Sequence, residues 1–191
     1  MFFLRRPSTG DIDRFLTASM TQPLSYTASG IGAAHRYAID ELSGVVGHGE
    51  RDFGYACDAL RGWEQFRLGW LAVLPQDAPA DPGTTLAVRI RHMGFWSLNG
   101  ARVVSREEWP GRRFAVAYGT LTNHAEQGEE LFEVSLDAGT GDVTYRIRAI
   151  SRPRARLAQV GAPIVRWFQA RARVDSLHAM RRAVAHRIAQ R

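Results

Sequence analysis

A chain of 191 residues with 45% hydrophobic and 10% aromatic content is too apolar for disorder and long enough to fold without disulfides or metal. One cysteine, Cys57, excludes an intrachain disulfide, a CxxC pair and a cysteine zinc site. The net charge of +6 is unevenly placed: residues 152–191 hold ten arginines against one acid, Asp175, whereas residues 1–151 hold 15 arginines against 18 acids, and there is no lysine.

The start, MFFLRRPSTGD, has an apolar run too short for a signal peptide, followed at once by a charged pair and a proline. No stretch approaches the roughly 18 apolar residues of a transmembrane helix. The expectation is a soluble, cytoplasmic protein with residues 1–191 as a single domain.

Ser8 followed by Asp11 is a capping-box pattern, and Ile12, Phe15 and Leu16 recur at helical spacing until Pro23. A short amphipathic helix is predicted over about 9–20. Residues 24–32 are polar and Gly-containing, a loop or edge strand. Residues 36–47 carry strand-like residues ending at Val45-Val46-Gly47. Asp52 reads as the N-cap of a second helix, whose buried stripe is Phe53, Ala56, Leu60 and Trp63.

From Glu64 the period shortens to two, and a strand is predicted through Phe66, Leu68, Trp70, Ala72 and Leu74. Residues 75–84 are a Pro/Asp/Gly loop. Leu86, Val88, Ile90 and His92 alternate with polar residues as a half-buried antiparallel strand. Gly94 opens a turn through FWSLNG, and Ala101–Trp109 is the next strand. Phe114, Val116, Tyr118 and Thr120 share a face, as do Glu130, Phe132, Val134 and Leu136. Val143, Tyr145, Ile147, Ala149 and Ser151 share another.

After a short helix near 154–160, Pro163 is placed to begin a long one over 163–189, about 40 Å in length. Val160, Ile164, Trp167, Ala170, Val174, Leu177, Val184 and Ile188 form its apolar stripe, interrupted by Arg181. Runs of strands with helices gathered to one side make an α+β domain. The arrangement is a curved antiparallel sheet gripping a long C-terminal helix, with short helices at the N-terminus and after the first strand.

Tyr26, Gly30 or Gly32, Gly47-His48-Gly49, Trp63, Tyr118-Gly119-Thr120-Leu121, His124, Gly128-Glu129-Glu130, Ser151-Arg152-Pro153, Pro163 and Gln169 form a pattern spanning nearly the whole chain. In this pattern the chain resembles a family of conserved uncharacterised proteins of bacteria and plants, a domain of unknown function. Thr122 stands where that family usually has proline, and the family has an aromatic near the position of Ser176. The resemblance implies a fold similar to the START-like helix-grip superfamily of hydrophobic-ligand binders. It implies no activity.

The residues agree with binding more than with catalysis. His124 lies among Glu126, Glu129 and Glu130, but the spacing is not that of a metalloprotease, no second histidine is near, and no Gly-x-Ser-x-Gly elbow exists. No catalytic residue, metal ligand or cofactor is assigned. Glu130 shares the parity of Phe132 and needs a buried partner, for which Arg152 and Tyr118 are the candidates. The candidate ligand-binding residues are Tyr118, His124, Glu130, Arg152, Trp63, Trp70 and Trp167. They would hold a small apolar or amphipathic molecule between the sheet and the long helix. The alternatives are an enzyme of the cyclase or hydrolase kind using His124 and Glu130, and a peripheral protein whose Arg-rich helix meets an anionic membrane surface. No nucleic-acid-binding motif is present. Oligomeric state is not legible.

Overall fold

The computed structural model describes residues 1–26, 38–153 and 162–190, the side chains of 152–153 and 162–165 excepted. The expected helix near 154–160, the motif glycines Gly30 and Gly32, and the side chains of Arg152 and Ile164 lie outside the described residues. The elements are β1 (Phe2–Phe3), α1 (Thr9–Met20), β2 (Ala38–His48), α2 (Gly49–Arg61), β3 (Leu71–Leu74), β4 (Thr85–Arg91) and β5 (Trp96–Trp109). They continue with β6 (Arg113–Thr120), β7 (Glu126–Leu136), β8 (Asp142–Pro153) and α3 (Ala162–Ala189).

Short turns join β4 through β8 in sequence, so each strand pairs antiparallel with the one before it. β3 extends one side and β2 closes the other, giving the order β2-β8-β7-β6-β5-β4-β3 with β1 added along β5. The register shifts once between Val45 and Gly47 and once between Val103 and Ser105. Such irregularities increase twist and curl a sheet, and here it is a curled half-barrel.

The sheet buries both faces unequally. Its concave face carries the main core, including Val88, Val103, Val116, Phe132 and Tyr145, covered by α2 and by the second half of α3. The convex face carries a smaller core, in which Phe15 of α1 meets Ala87 and Leu98. The capping box at the start of α1 is present: the Ser8 hydroxyl accepts from the Asp11 amide at 3.2 Å, and the Asp11 carboxylate accepts from the Ser8 amide at 2.9 Å. Two helix-start amides and their partners are satisfied together.

The long helix is where it was expected, but it shows the sheet a neighbouring face. Leu177, Met180 and Val184 are buried, whereas Trp167, Val174 and Ile188 are exposed. Ser176 and Ala179 complete the buried face. Small residues let a helix lie close to a sheet, so the side facing the core is not the one with the largest apolar side chains. Arg181 lies off this face and donates to the Val45 carbonyl at 2.9 Å.

Three boundaries differ from expectation. α2 begins at Gly49, so Asp52 is not its N-cap; its carboxylate instead accepts from the amide of the capping His48 at 2.9 Å. The strand expected from Glu64 is a 3-10 turn over Glu64–Phe66, and only Leu71–Leu74 is strand. Trp63 causes this. It takes a left-handed φ of 57°, ends α2, and fixes its indole in the core by donating to the Ala78 carbonyl at 2.8 Å. FWSLNG is mostly the first part of β5 rather than a turn. Among the described residues no helix is long and apolar enough to cross a membrane.

The position of α3 makes a direct test. Met180→Ala is expected to cost about 2–5 kcal/mol of unfolding free energy, while Val174→Ala stays within about 0.5 kcal/mol. Urea denaturation distinguishes these; equal losses would mean that the other helix face is buried.

Candidate functional site on the concave face

The β6–β7 pairing sets the site. Tyr118 lies opposite Glu130, and Gly119 opposite Glu129. Side chains alternate across a sheet, so one pair points inward and the next outward.

The outward pair is architectural. Tyr26 donates to Glu129 Oε2 at 2.7 Å, and a Cβ on Gly119 would overlap the Tyr26 phenol. The neighbouring Thr120 hydroxyl accepts from the Gly128 amide at 2.9 Å and donates to the Gly128 carbonyl at 3.1 Å. Gly128 has a φ of 158°, and any side chain there would strike the Ile150 carbonyl. Tyr26, Gly119, Thr120, Gly128 and Glu129 therefore lock the end of β6 to β7.

The inward pair is chemical. Tyr118 donates to the Glu130 carboxyl, with Phe66 and Phe132 packed on its ring at 6.0 and 5.5 Å. The register continues the row through Ala149 of β8 to Asp40 of β2. α3 faces this row with Gln169, Arg173 and Ser176, spaced at i, i+4 and i+7 on one side of the helix. Gln169 donates to both oxygens of Glu126 at 2.8 Å, Arg173 reaches Asp40 at 3.3 Å, and Ser176 lies 2.7 Å from the Tyr145 hydroxyl. Asp40, Glu126 and Glu130 thus gather near a single described arginine.

Burial governs the protonation of this group. It raises the Glu130 carboxyl to about 7, opposed by the Tyr118 hydrogen bond and reinforced by the nearby charge of Glu126. It also raises Glu126, against the hydrogen bonds from Gln169 and Ser151. The Tyr118 and Tyr145 phenols are pushed up by burial and stay protonated. The site can therefore donate from phenols and carboxyls, or accept at a carboxylate, near neutral pH.

Packing loosens along α3. Under Leu177–Val184 the concave face is filled. Under Phe168–Ala172 the side chains of Trp70, Ile90, Glu126 and Glu130 stay half-buried. Gln65, fully buried beside Phe66, has neither end of its amide hydrogen-bonded. Buried side-chain amides are ordinarily hydrogen-bonded, and this one has no protein partner. Two open surface depressions, one bounded by Met20, Pro75 and Arg102 and the other by Glu41, Glu133 and Arg146, lie away from these residues.

Of the residues anticipated from sequence, Tyr118 and Glu130 meet as expected. His124 does not join the carboxylates: its Nδ1 accepts from the Glu126 amide at 2.9 Å, which fixes the proton on Nε2, and burial pushes the ring down to about 4. Trp63 is not a wall residue, because its indole is packed and satisfied inside the core. Trp167 is not one either; 54% of it is exposed. Trp70 stands at the rim, donating to Asp175 at 2.9 Å, with Phe168 5.8 Å away. Arg152 pairs through its backbone with Gln127, and its side chain is outside the described residues. Asp40, Gln65 and Arg173 were missed. The polar i, i+4, i+7 spacing on α3 was the available signal for Arg173. Among the described residues no three His, Cys, Asp or Glu are grouped to hold a metal ion.

A curled antiparallel sheet closed by a long helix, with polar residues of both meeting on the concave side, defines a helix-grip protein. Residues 25–179 match a domain of unknown function, DUF1990, and the chain belongs to that family. A UPF0548 protein of Dictyostelium discoideum is 29% identical over 96% of this chain and 96% of its own length. A UPF0548 protein of Deinococcus radiodurans is 32% identical over 90% of this chain and 92% of its own. Among solved structures, the di-domain ARO/CYC StfQ from the steffimycin biosynthetic pathway superposes with a TM-score of 0.54 at 10% identity, over 85% of this chain and 56% of that one. The hypothetical protein jhp0584 from Helicobacter pylori superposes with a TM-score of 0.51 at 14% identity, over 82% and 95%. These likenesses show the fold.

Glu130 and His124 give opposite pH dependences. Glu130 titrates near 4.5 unfolded and about 7 folded, so the folded state holds an extra proton between those values and stability falls as pH rises. His124 titrates near 6.5 unfolded and about 4 folded, so the folded state holds one fewer and stability falls as pH drops. In the native protein the two slopes largely offset. Glu130→Gln should expose the histidine slope, a loss on the order of 2 kcal/mol on acidification. His124→Asn should expose the opposite one, a comparable loss toward neutrality. Denaturation across pH reads both; two variants with the parental profile would refute the assignment.

Proposed function

We propose that this protein binds a small amphipathic molecule between the first half of α3 and the concave face, without chemistry, its polar end being neutral or cationic. The observation that carries this reading is the Tyr118–Glu130 pair, a carboxyl titrating near neutrality in a polar row flanked by the apolar concave core. Ligand sites of this kind are mostly apolar, with a few fixed polar groups that set orientation. Half-buried Trp70 and Phe168 supply apolar wall, and the buried amide of Gln65 lies next in the chain to Phe66, which packs on Tyr118. Asp40, Glu126 and Glu130 against Arg173 disfavour an anionic head group. A second reading rests on the same carboxyl: a group near 7 is suited to general acid–base work. In that case Glu130 acts without His124, whose ring is engaged elsewhere.

The test uses a neutral fluorescent probe, N-phenylnaphthylamine, and its displacement. Saturable binding is expected, with dodecylamine displacing the probe about tenfold better than dodecanoate at pH 8. Glu130→Gln should erase that preference. Gln65→Leu should stabilise the free protein by about 1–3 kcal/mol while weakening the probe. Absence of saturable binding, or equal displacement by amine and carboxylate, would defeat the reading.

A further inference from the structure

The chain has an exposed apolar patch that the concave site does not use. It is built from three segments: residues 1–6, the turn between β4 and β5, and the start of α3. β1 pairs with the beginning of β5, setting Phe2 opposite Ser97. The Phe2 ring lies 5.7 Å from Phe95, Phe95 stacks on His92 at 4.5 Å, His92 meets Phe168 at 5.4 Å, and Phe168 meets Trp167 at 5.0 Å. Met93 projects from the turn between them. Leu4 is 93% exposed, Met93 79% and Phe2 68%, and Phe95 and Trp167 are exposed beside them. Contiguous large apolar side chains in water mark an interaction surface.

The three segments themselves carry charge of one sign, although Asp175, just beyond them on α3, pairs with Arg171 at 3.3 Å. Residues 1–8, 88–98 and 162–174 contain arginines and no acid. Arg5, Arg6, Arg91 and Arg166 are exposed there, with Arg89 half-buried close to Arg6. None of these five is ion-paired among the described residues. By contrast Arg14, Arg61, Arg106, Arg113, Arg146, Arg173 and Arg187 all pair with carboxylates. Arg89 and Arg91 lie over Trp96 at 5.7 and 5.8 Å, and Arg171 over Trp167 at 5.4 Å. The guanidinium groups of Arg5, Arg6, Arg89, Arg91 and Arg166, interleaved with tryptophan, phenylalanine, leucine and methionine, suit the headgroup region of an anionic bilayer, where the charges meet phosphate and the apolar side chains enter the acyl boundary.

We infer that this rim is the surface by which the protein docks on an anionic lipid bilayer. The docking element is thus the N-terminal segment, the β4–β5 turn and the first turns of α3, not the Arg-rich remainder of that helix. Nucleic acid fits less well, since Leu4 and Met93 stand forward among the arginines and have nothing to stack on. The inference does not depend on what the concave face binds, although Phe168 and Trp70 join the two places.

Flotation of the full chain with phosphatidylcholine vesicles, with and without phosphatidylserine, tests it. Binding is expected only with phosphatidylserine, together with a blue shift of tryptophan emission that Trp167→Phe reduces. Phe2→Ser, Leu4→Ser and Met93→Ser together should weaken binding by at least about tenfold. Arg5→Gln and Arg91→Gln should each weaken it about fivefold, and Arg182→Gln, on the distant half of α3, should change nothing. These side chains are exposed, and an unchanged circular dichroism spectrum shows that the variants fold. Failure to bind phosphatidylserine vesicles overturns the proposal, as does binding lost in Arg182→Gln but kept in the triple serine variant. Salt-sensitive retention on RNA without vesicle binding would reassign the surface to nucleic acid. A concentration-dependent dimer abolished by the serine variant, with no vesicle binding, would reassign it to a second copy of the chain.

Discussion

The hydrogen bond between Tyr118 and Glu130 lies where little water can replace either partner. A phenol and a carboxyl on adjacent strands meet only if β6 and β7 hold one register, since a slip of one residue in either strand would turn its group to the other face. That register is held by Tyr26 on Glu129 on the opposite side of the same strands, by the Thr120 hydroxyl on the Gly128 backbone at the next position, and by the absence of side chains at Gly119 and Gly128. Burial raises Glu126 in the same direction, with the nearby charge of Asp40 adding to it. Gln169, Arg173 and Ser176 then follow as requirements: a helix crossing such a row must bring polar groups to it.

α3 accordingly has two characters in one segment. Its second half is a packing element, with Met180 and Val184 in the core. Its first half carries the polar partners of the concave row on one side and exposed Trp167 on another. The packed half anchors the helix, so the other half can leave half-buried groups beneath it without loss of the fold. The aromatic contacts of Phe168 connect that looser region to the arginine-flanked rim, and interior and surface sites therefore share a helix turn.

Most of the architecture could be read from sequence because period-two alternation in β4 and β6–β8 and the turn glycines between strands are strong local signals. The strand expected at Glu64 failed because alternation over a few residues also arises in a turn whose apolar side chains are drawn inward by tertiary contacts, as Phe66 is by Tyr118 and Phe132. The face of α3 departs from the expected stripe because Met180, Ser176 and Ala179 face the core while Trp167, Val174 and Ile188 do not, a rotation that the broad apolar pattern of the helix does not fix. In the site, parity turned Glu130 inward and left Tyr118 and Arg152 as its candidate partners, and the β6–β7 register selects Tyr118. Arg173 and Asp40 could not be found that way, since they reach the row from elements distant in the chain. His124 was grouped with its sequence neighbours, yet a ring that accepts from the next-but-one amide is satisfied locally and has no need of a carboxylate.

The strand order has a consequence for how the chain is made. β2, among the first strands synthesised, pairs with β8, the last, so the curl of the sheet stays open at one edge until most of the chain exists. α3 follows every strand. Chains emerge N-terminal end first, and the polar row is therefore assembled in contact with solvent before anything covers it. The carboxyl of Glu130 is ionised at neutral pH while exposed and titrates at about 7 once buried, so closure of the grip is coupled to partial uptake of a proton.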